Sequence, residues 1–147
     1  MPNPFAHIEL QTDDVAKAKK FYKSLFDWKF KDVPDMSYTM LDVGEGTGGG
    51  LTKHMMPGAP NAWLSYVQVD SVKKTVEKAK KAGGNALVEY MPIGDMGAIG
   101  VIADPSGATF GVWETAKPAP KAAKKKAAKK SAAKKPAAKK KAAKKKA

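Results

Sequence analysis

From His7 the chain alternates: His7, Glu9 and Gln11 fall on one side of an extended segment, Ile8, Leu10 and Thr12 on the other, because successive strand side chains point to opposite faces. One side is therefore polar. After Asp13-Asp14 the period becomes helical, with Val15, Ala18, Tyr22, Leu25 and Phe26 forming a stripe and Lys17, Lys20 and Lys23 facing water; either aspartate suits the cap. This stripe should pack on the Ile8/Leu10 side and leave the His7/Glu9 side for something else. Trp28-Lys29-Phe30, Tyr38-Thr39-Met40-Leu41 and Leu51-Thr52-Lys53 read as three further strands.

The same order then recurs. The segment from Leu64-Ser65-Tyr66-Val67-Gln68 through Asp70-Ser71-Val72 matches residues 7–15 in type at an offset of 57 positions. Val72, Val76 and Ala79 mark a second helix, which Gly83-Gly84 ends, and residues 86–88, 99–102 and 109–114 read as strands. Asp104-Pro105-Ser106-Gly107 has the composition of a type I turn. Met55-Met56-Pro57-Gly58-Ala59-Pro60 separates the two copies. The expectation is an α+β fold of paired βαβββ modules, about 4–54 and 61–115, forming a curved sheet around a cavity.

The glycines at 44, 46, 48, 49 and 50 invite a phosphate-loop reading, but such a loop opens a helix, and here a strand follows. A hairpin turn and close backbone packing suit them better.

At 147 residues and 43% hydrophobic composition the chain supports one cored domain. The absence of cysteine excludes disulfides, thiolate ligands and a thiol nucleophile. With no apolar leader and no long apolar run, a cytoplasmic protein without a membrane span is expected. The formal charge of +13 is unevenly spread: residues 1–116 hold 12 Lys and all 14 acidic residues, residues 117–147 hold 15 Lys and no acid. The domain is thus residues 1–116, mildly acidic, and residues 117–147 form a disordered Lys/Ala-rich basic tail.

In that tail the unit Ala-Ala-Lys-Lys-x recurs from Ala122, placing Lys124 and Lys125, Lys129 and Lys130, Lys134 and Lys135, and Lys139 and Lys140 in register. Five residues advance about 500° on a helix, so the lysines wind around the axis and make no membrane-binding face. Without Arg or aromatics the tail can neutralise phosphates but not read bases, which predicts non-specific binding of DNA or RNA. It resembles the C-terminal tails of linker histones and lysine-rich nucleoid proteins, which implies nucleoid association.

The paired modules, the Asp13-Asp14-Val15…Phe21-Tyr22…Leu25-Phe26-Asp27-Trp28 segment and the ending Asp104-Pro105-Ser106-Gly107…Phe110-Gly111-Val112-Trp113-Glu114 resemble the vicinal oxygen chelate superfamily of glyoxalases, bleomycin resistance proteins and dioxygenases. The resemblance implies a metal and substrate between curved half-barrels, a small-molecule ligand and a homodimer. Carried over by position, the metal-ligand places fall on His7, Leu64, Gly111 and Gly50. Only His7 is a ligand type, so a divalent metal is implied by the resemblance but poorly supplied by the side chains.

His7 and Glu9 are the candidate catalytic pair. Hydrogen bonding within a polar-lined cavity suits His7 better than metal ligation. Alternation adds Gln11, Tyr66, Gln68, Thr109 and Trp113 to the cavity face. His54 falls in the linker and is a weaker candidate, and Glu114 reads as a surface or dimer-contact carboxylate. Three functions stay open: a glyoxalase-like lyase or isomerase, a non-catalytic ligand-binding domain, or a dimeric body presenting nucleic-acid-binding tails.

Overall fold

The computed structural model describes residues 2–117; the tail lysines from Lys124 to Lys140 lie outside the described residues. Module one comprises β1 (Phe5–Thr12), α1 (Val15–Leu25), β2 (Lys29–Val33), β3 (Tyr38–Asp42) and β4 (Gly49–Lys53). Module two comprises β5 (Ala62–Gln68), α2 (Val72–Lys81), β6 (Asn85–Ile93), β7 (Gly97–Ala103) and β8 (Thr109–Thr115). All eight strands join one mixed sheet in the order β2-β3-β4-β1-β5-β8-β7-β6.

The repeat is visible in the register. β1 and β5 pair antiparallel at the seam, with Ile8 opposite Ser65, its own counterpart 57 positions on, flanked by His7 opposite Tyr66 and Glu9 opposite Leu64. A local two-fold axis therefore passes through the Ile8/Ser65 pair. β1 runs parallel to β4 with Glu9 beside Gly50, and β5 runs parallel to β8 with Tyr66 beside Gly111. Since Glu9 and Tyr66 are equivalent, so are Gly50 and Gly111.

Asp14 caps α1 by accepting from the Lys17 N–H (2.9 Å), and Ser71 caps α2 by accepting from Lys74 (3.4 Å). Both helices lie on the Ile8/Leu10 side, but they seat differently. α2 buries Val72 and Val76 against Ile102 and Val112, about 1.5–3 kcal/mol for each aliphatic side chain fully buried. It sits so near the sheet that a Cβ on Gly100 would stand 3.0 Å from Val72 Cγ1 and 3.2 Å from Val76 Cγ2.

In module one, Thr39 takes the place of Gly100, each standing opposite the residue that follows the equivalent glycine of β4 or β8. Thr39 Oγ1 donates to Asp32 (2.6 Å), which pairs with Lys19 of α1 (2.8 Å). A polar strut thus replaces the valine contacts, and none of the α1 residues is buried. Val15, Ala18 and Tyr22 do pack on the Leu10/Leu41/Leu51 cluster. Leu25 and Phe26, expected in the same stripe, are 54% and 45% exposed: the helix stops at Leu25, and Phe26 turns extended (φ −136°, ψ 150°) to meet Trp28. Trp28 precedes β2 instead of opening it.

Candidate ligand-binding site

On the face without helices, β1 contributes His7, Glu9 and Gln11 as its alternation requires. His7 Nε2 lies 2.6 Å from the Tyr38 hydroxyl at the start of β3. Glu9 is 6% exposed, and its Oε1 accepts from the Tyr66 hydroxyl and from Gln11 Nε2, each over 3.1 Å. A buried carboxylate is tolerated when donors replace its lost water, and these two do so.

Burial, partly offset by the charge of Glu9, lowers the His7 pKa below its ordinary 6.5, so the ring is neutral near pH 7. Burial first, then the charge of Glu9, push both Tyr38 and Tyr66 far above the ordinary phenol value of 10.0. Both phenols stay protonated and serve as donors. The site is a neutral imidazole and two phenols gathered around one carboxylate.

The glycines explain how two phenols fit. A Cβ on Gly50 would overlap the Tyr38 hydroxyl and ring, and a Cβ on Gly111 would overlap the Tyr66 ring. These are two of the positions where the family resemblance places metal ligands. Tyrosine rings from neighbouring strands occupy the space that ligand side chains there would need, and a third position is the buried, apolar Leu64. Among the described residues no three His, Cys, Asp or Glu side chains gather to hold a metal ion. The donor set therefore does not fit a divalent metal centre of the family type.

Of the predicted cavity residues, Gln11 and Tyr66 join His7 and Glu9. The other three do not. Gln68 is exposed and reaches Thr115 Oγ1 (3.4 Å), Thr109 is exposed where β8 begins, and Trp113 packs against the Leu64/Tyr66/Ile99/Val101 cluster. That cluster, with Met55, Met91 and Ile93 against it, fills the face of module two, so the polar face belongs to module one.

Tyr38 was missed in the sequence. The pairing of Met40 with Gly50, which no local pattern supplies, puts Tyr38, two residues away, on the same face. Glu114 is not a free surface carboxylate: its Oε2 accepts the Val72 N–H over 2.6 Å at the start of α2, where a helix dipole favours an anion. His54 is held in the linker by Asn61 Oδ1 (2.7 Å), whose Nδ2 donates to Asp13 (3.0 Å), away from the His7 site.

Comparison with known proteins agrees with this fold. The Glyoxalase/Bleomycin resistance protein/Dioxygenase superfamily profile matches residues 5–112; the chain belongs to that superfamily. It is 37% identical over 115 residues to "Putative glyoxylase CFP32" of Mycobacterium tuberculosis, an alignment covering 73% of this chain and 44% of that protein. It is 27% identical over 129 residues to "Anthracycline biosynthesis protein DnrV" of Streptomyces peucetius, covering 76% and 47%. The chain thus spans less than half the length of these relatives. Among solved structures, methylmalonyl-CoA epimerase from Mycobacterium tuberculosis superposes with a TM-score of 0.54 at 16% identity, over 82% of this chain and 91% of that one. A superfamily member from Vibrio splendidus gives 0.54 at 13% identity, over 78% and 99%; both likenesses concern the fold alone. No helix among the described residues is long and apolar enough to cross a membrane.

Proposed function

We propose that the domain binds a small organic molecule on the face carrying His7, Glu9 and Tyr38, and does so without a divalent metal. The observation that carries this reading is the pair of tyrosine rings lying over Gly50 and Gly111. Glu9 and His7 supply an acceptor and a neutral imidazole for a ligand's polar end. Met40, 43% exposed on the same face of β3, supplies an adaptable apolar contact. Lyase or isomerase chemistry on this face would use Glu9 or His7 as the proton carrier.

A polycyclic quinone of the anthracycline class is a suitable probe, given the name of the Streptomyces relative. Saturable binding that is unchanged by EDTA and weakened by Tyr38→Ala supports the reading. Binding that needs an added divalent ion contradicts it.

A second reading concerns the tail, and the observation favouring it is the concentration of 15 Lys and no acid in residues 117–147. It makes those residues a non-specific DNA- or RNA-binding arm, with nucleoid association as its cellular consequence. A homodimeric domain presenting two such arms belongs to the same proposal.

A further inference from the structure

The helix-bearing face of module one holds an opening that is separate from the His7 site. Beyond the end of α1, a cavity of about 310 Å3 is walled by Trp28 and Trp63, with Ile8, Leu41 and Val43 beneath and Thr47 at the edge. Its remaining lining is Gly48-Gly49, and Gly49 can bear no Cβ because one would overlap the Ile8 carbonyl.

The walls are held in place. The indoles of Trp28 and Trp63 stand nearly perpendicular (84°) with centroids 6.3 Å apart. Tyr22 stacks on Trp28 at 5.8 Å, and its hydroxyl accepts the Trp63 Nε1–H over 3.1 Å. Thr47 Oγ1 lies 3.5 Å from the Phe5 carbonyl, within hydrogen-bond reach. The Trp63 N–H and the Thr47 hydroxyl are thereby engaged, and the lining is predominantly apolar.

The opening is not a requirement of the fold. By register Trp28 corresponds to Gly84, since Lys29 pairs with Asp42 as Asn85 pairs with Ala103, and Trp63 corresponds at the 57-residue offset to Ala6; module two closes its helix face with Val72 and Val76 against Gly100. Module one instead props α1 on the Lys19–Asp32–Thr39 strut. Residues 117–147 contain only Lys, Ala, Pro and Ser and so supply no aromatic ring.

We propose that this cavity is a second binding site, for an uncharged aromatic molecule of two or three rings. The volume lies at the lower end of the roughly 300–1,000 Å3 of ligand pockets, and perpendicular indoles offer a third ring both edge-to-face and offset-stacked contacts. A charged ligand would lose its hydration and find no charged side chain in the lining. A second copy of the chain is the competing occupant, and the oligomeric state separates the two.

The test uses N-phenyl-1-naphthylamine, an uncharged aromatic probe, with the full chain. Saturable binding at one site with quenching of tryptophan emission is expected. Thr47→Phe and Val43→Phe, which place a ring in the cavity, should each weaken it by about tenfold or more, whereas Tyr38→Phe at the His7 site leaves it unchanged. The proposal is independent of the reading of that site. Absence of saturable binding by the wild-type chain overturns it, as does equal affinity in both phenylalanine variants with native circular dichroism. Loss of binding in Tyr38→Phe alone would move the ligand to the other face. A wild-type dimer in sedimentation velocity that becomes monomeric in both phenylalanine variants would assign the cavity to a second copy.

Discussion

Glu9 and Tyr66 are the same position of the two modules, and the Tyr66 hydroxyl donates to Glu9 Oε1 over 3.1 Å. The repeat has therefore diverged into a complementary pair: one copy supplies a buried carboxylate, the other the donor that satisfies it. Replacing that donor by Tyr66→Phe leaves Glu9 with Gln11 as its remaining short partner and should cost about 1–3 kcal/mol. Urea denaturation measures this, and a loss below about 0.5 kcal/mol would show that water takes over the hydroxyl's place.

The close fit of Tyr66 to Gly111 gives a second expectation. Gly111→Ala forces its Cβ into the Tyr66 ring and should destabilise the domain by about 1–3 kcal/mol. Combining it with Tyr66→Ala removes the overlap, so a double-mutant cycle should return a favourable coupling energy. Simple additivity would mean that the ring moves aside freely.

Protonation of His7 should weaken the fold. Its folded-state pKa is depressed below the ordinary 6.5 by burial, so below that value the unfolded chain binds more protons than the folded one, and stability falls with pH. The contribution is complete above about pH 6.5 and is lost between there and the lowered folded value, at no more than about 1.4 kcal/mol per pH unit. Melting temperatures across pH 5–7.5 should slope less steeply in His7→Gln than in the wild type; equal slopes would refute the assignment. The depressed carboxyls of Asp13, Asp32 and Asp104 act below their ordinary 3.8 and do not enter this window.

Glu114 should behave as a helix cap. Glu114→Ala removes the acceptor for the Val72 N–H and should cost about 0.5–2 kcal/mol, with the loss appearing first as faster amide exchange in the opening turn of α2. Unchanged exchange there would show that the carboxylate contributes nothing.

Deletion of residues 117–147 should abolish binding to duplex DNA. With the tail present, affinity should fall steeply with salt, by about 0.9 in log-log slope for each lysine on a phosphate. Salt-sensitive binding by the truncated chain would place the nucleic-acid surface on the domain.

Much of the fold was legible because the period changes sharply from two to 3.6 at Asp14 and again at Ser71, and because the offset of 57 repeats residue types and not just lengths. The polar side of β1 was legible for the same reason. Tyr38 was not, since its place depends on which strand pairs with β4, a non-local fact that alternation within β3 does not contain. Phe26 misled because helical spacing says nothing about where the helix stops, and Leu25, the last helical residue, is left exposed. Gly50 and Gly111 looked like missing ligands in the sequence; the register shows them to be vacated positions, taken by rings from adjacent strands. Trp113 was on the correct face, but module two fills that face with its own apolar side chains.

The most direct test of the central claim is calorimetric titration of the full chain with zinc, nickel and manganese, beside His7→Ala. Weak binding, unaltered by the substitution, is predicted, because phenol rings occupy the space that ligand side chains at Gly50 and Gly111 would need. Stoichiometric, tight binding that disappears in His7→Ala would contradict it and restore a metal centre to this face.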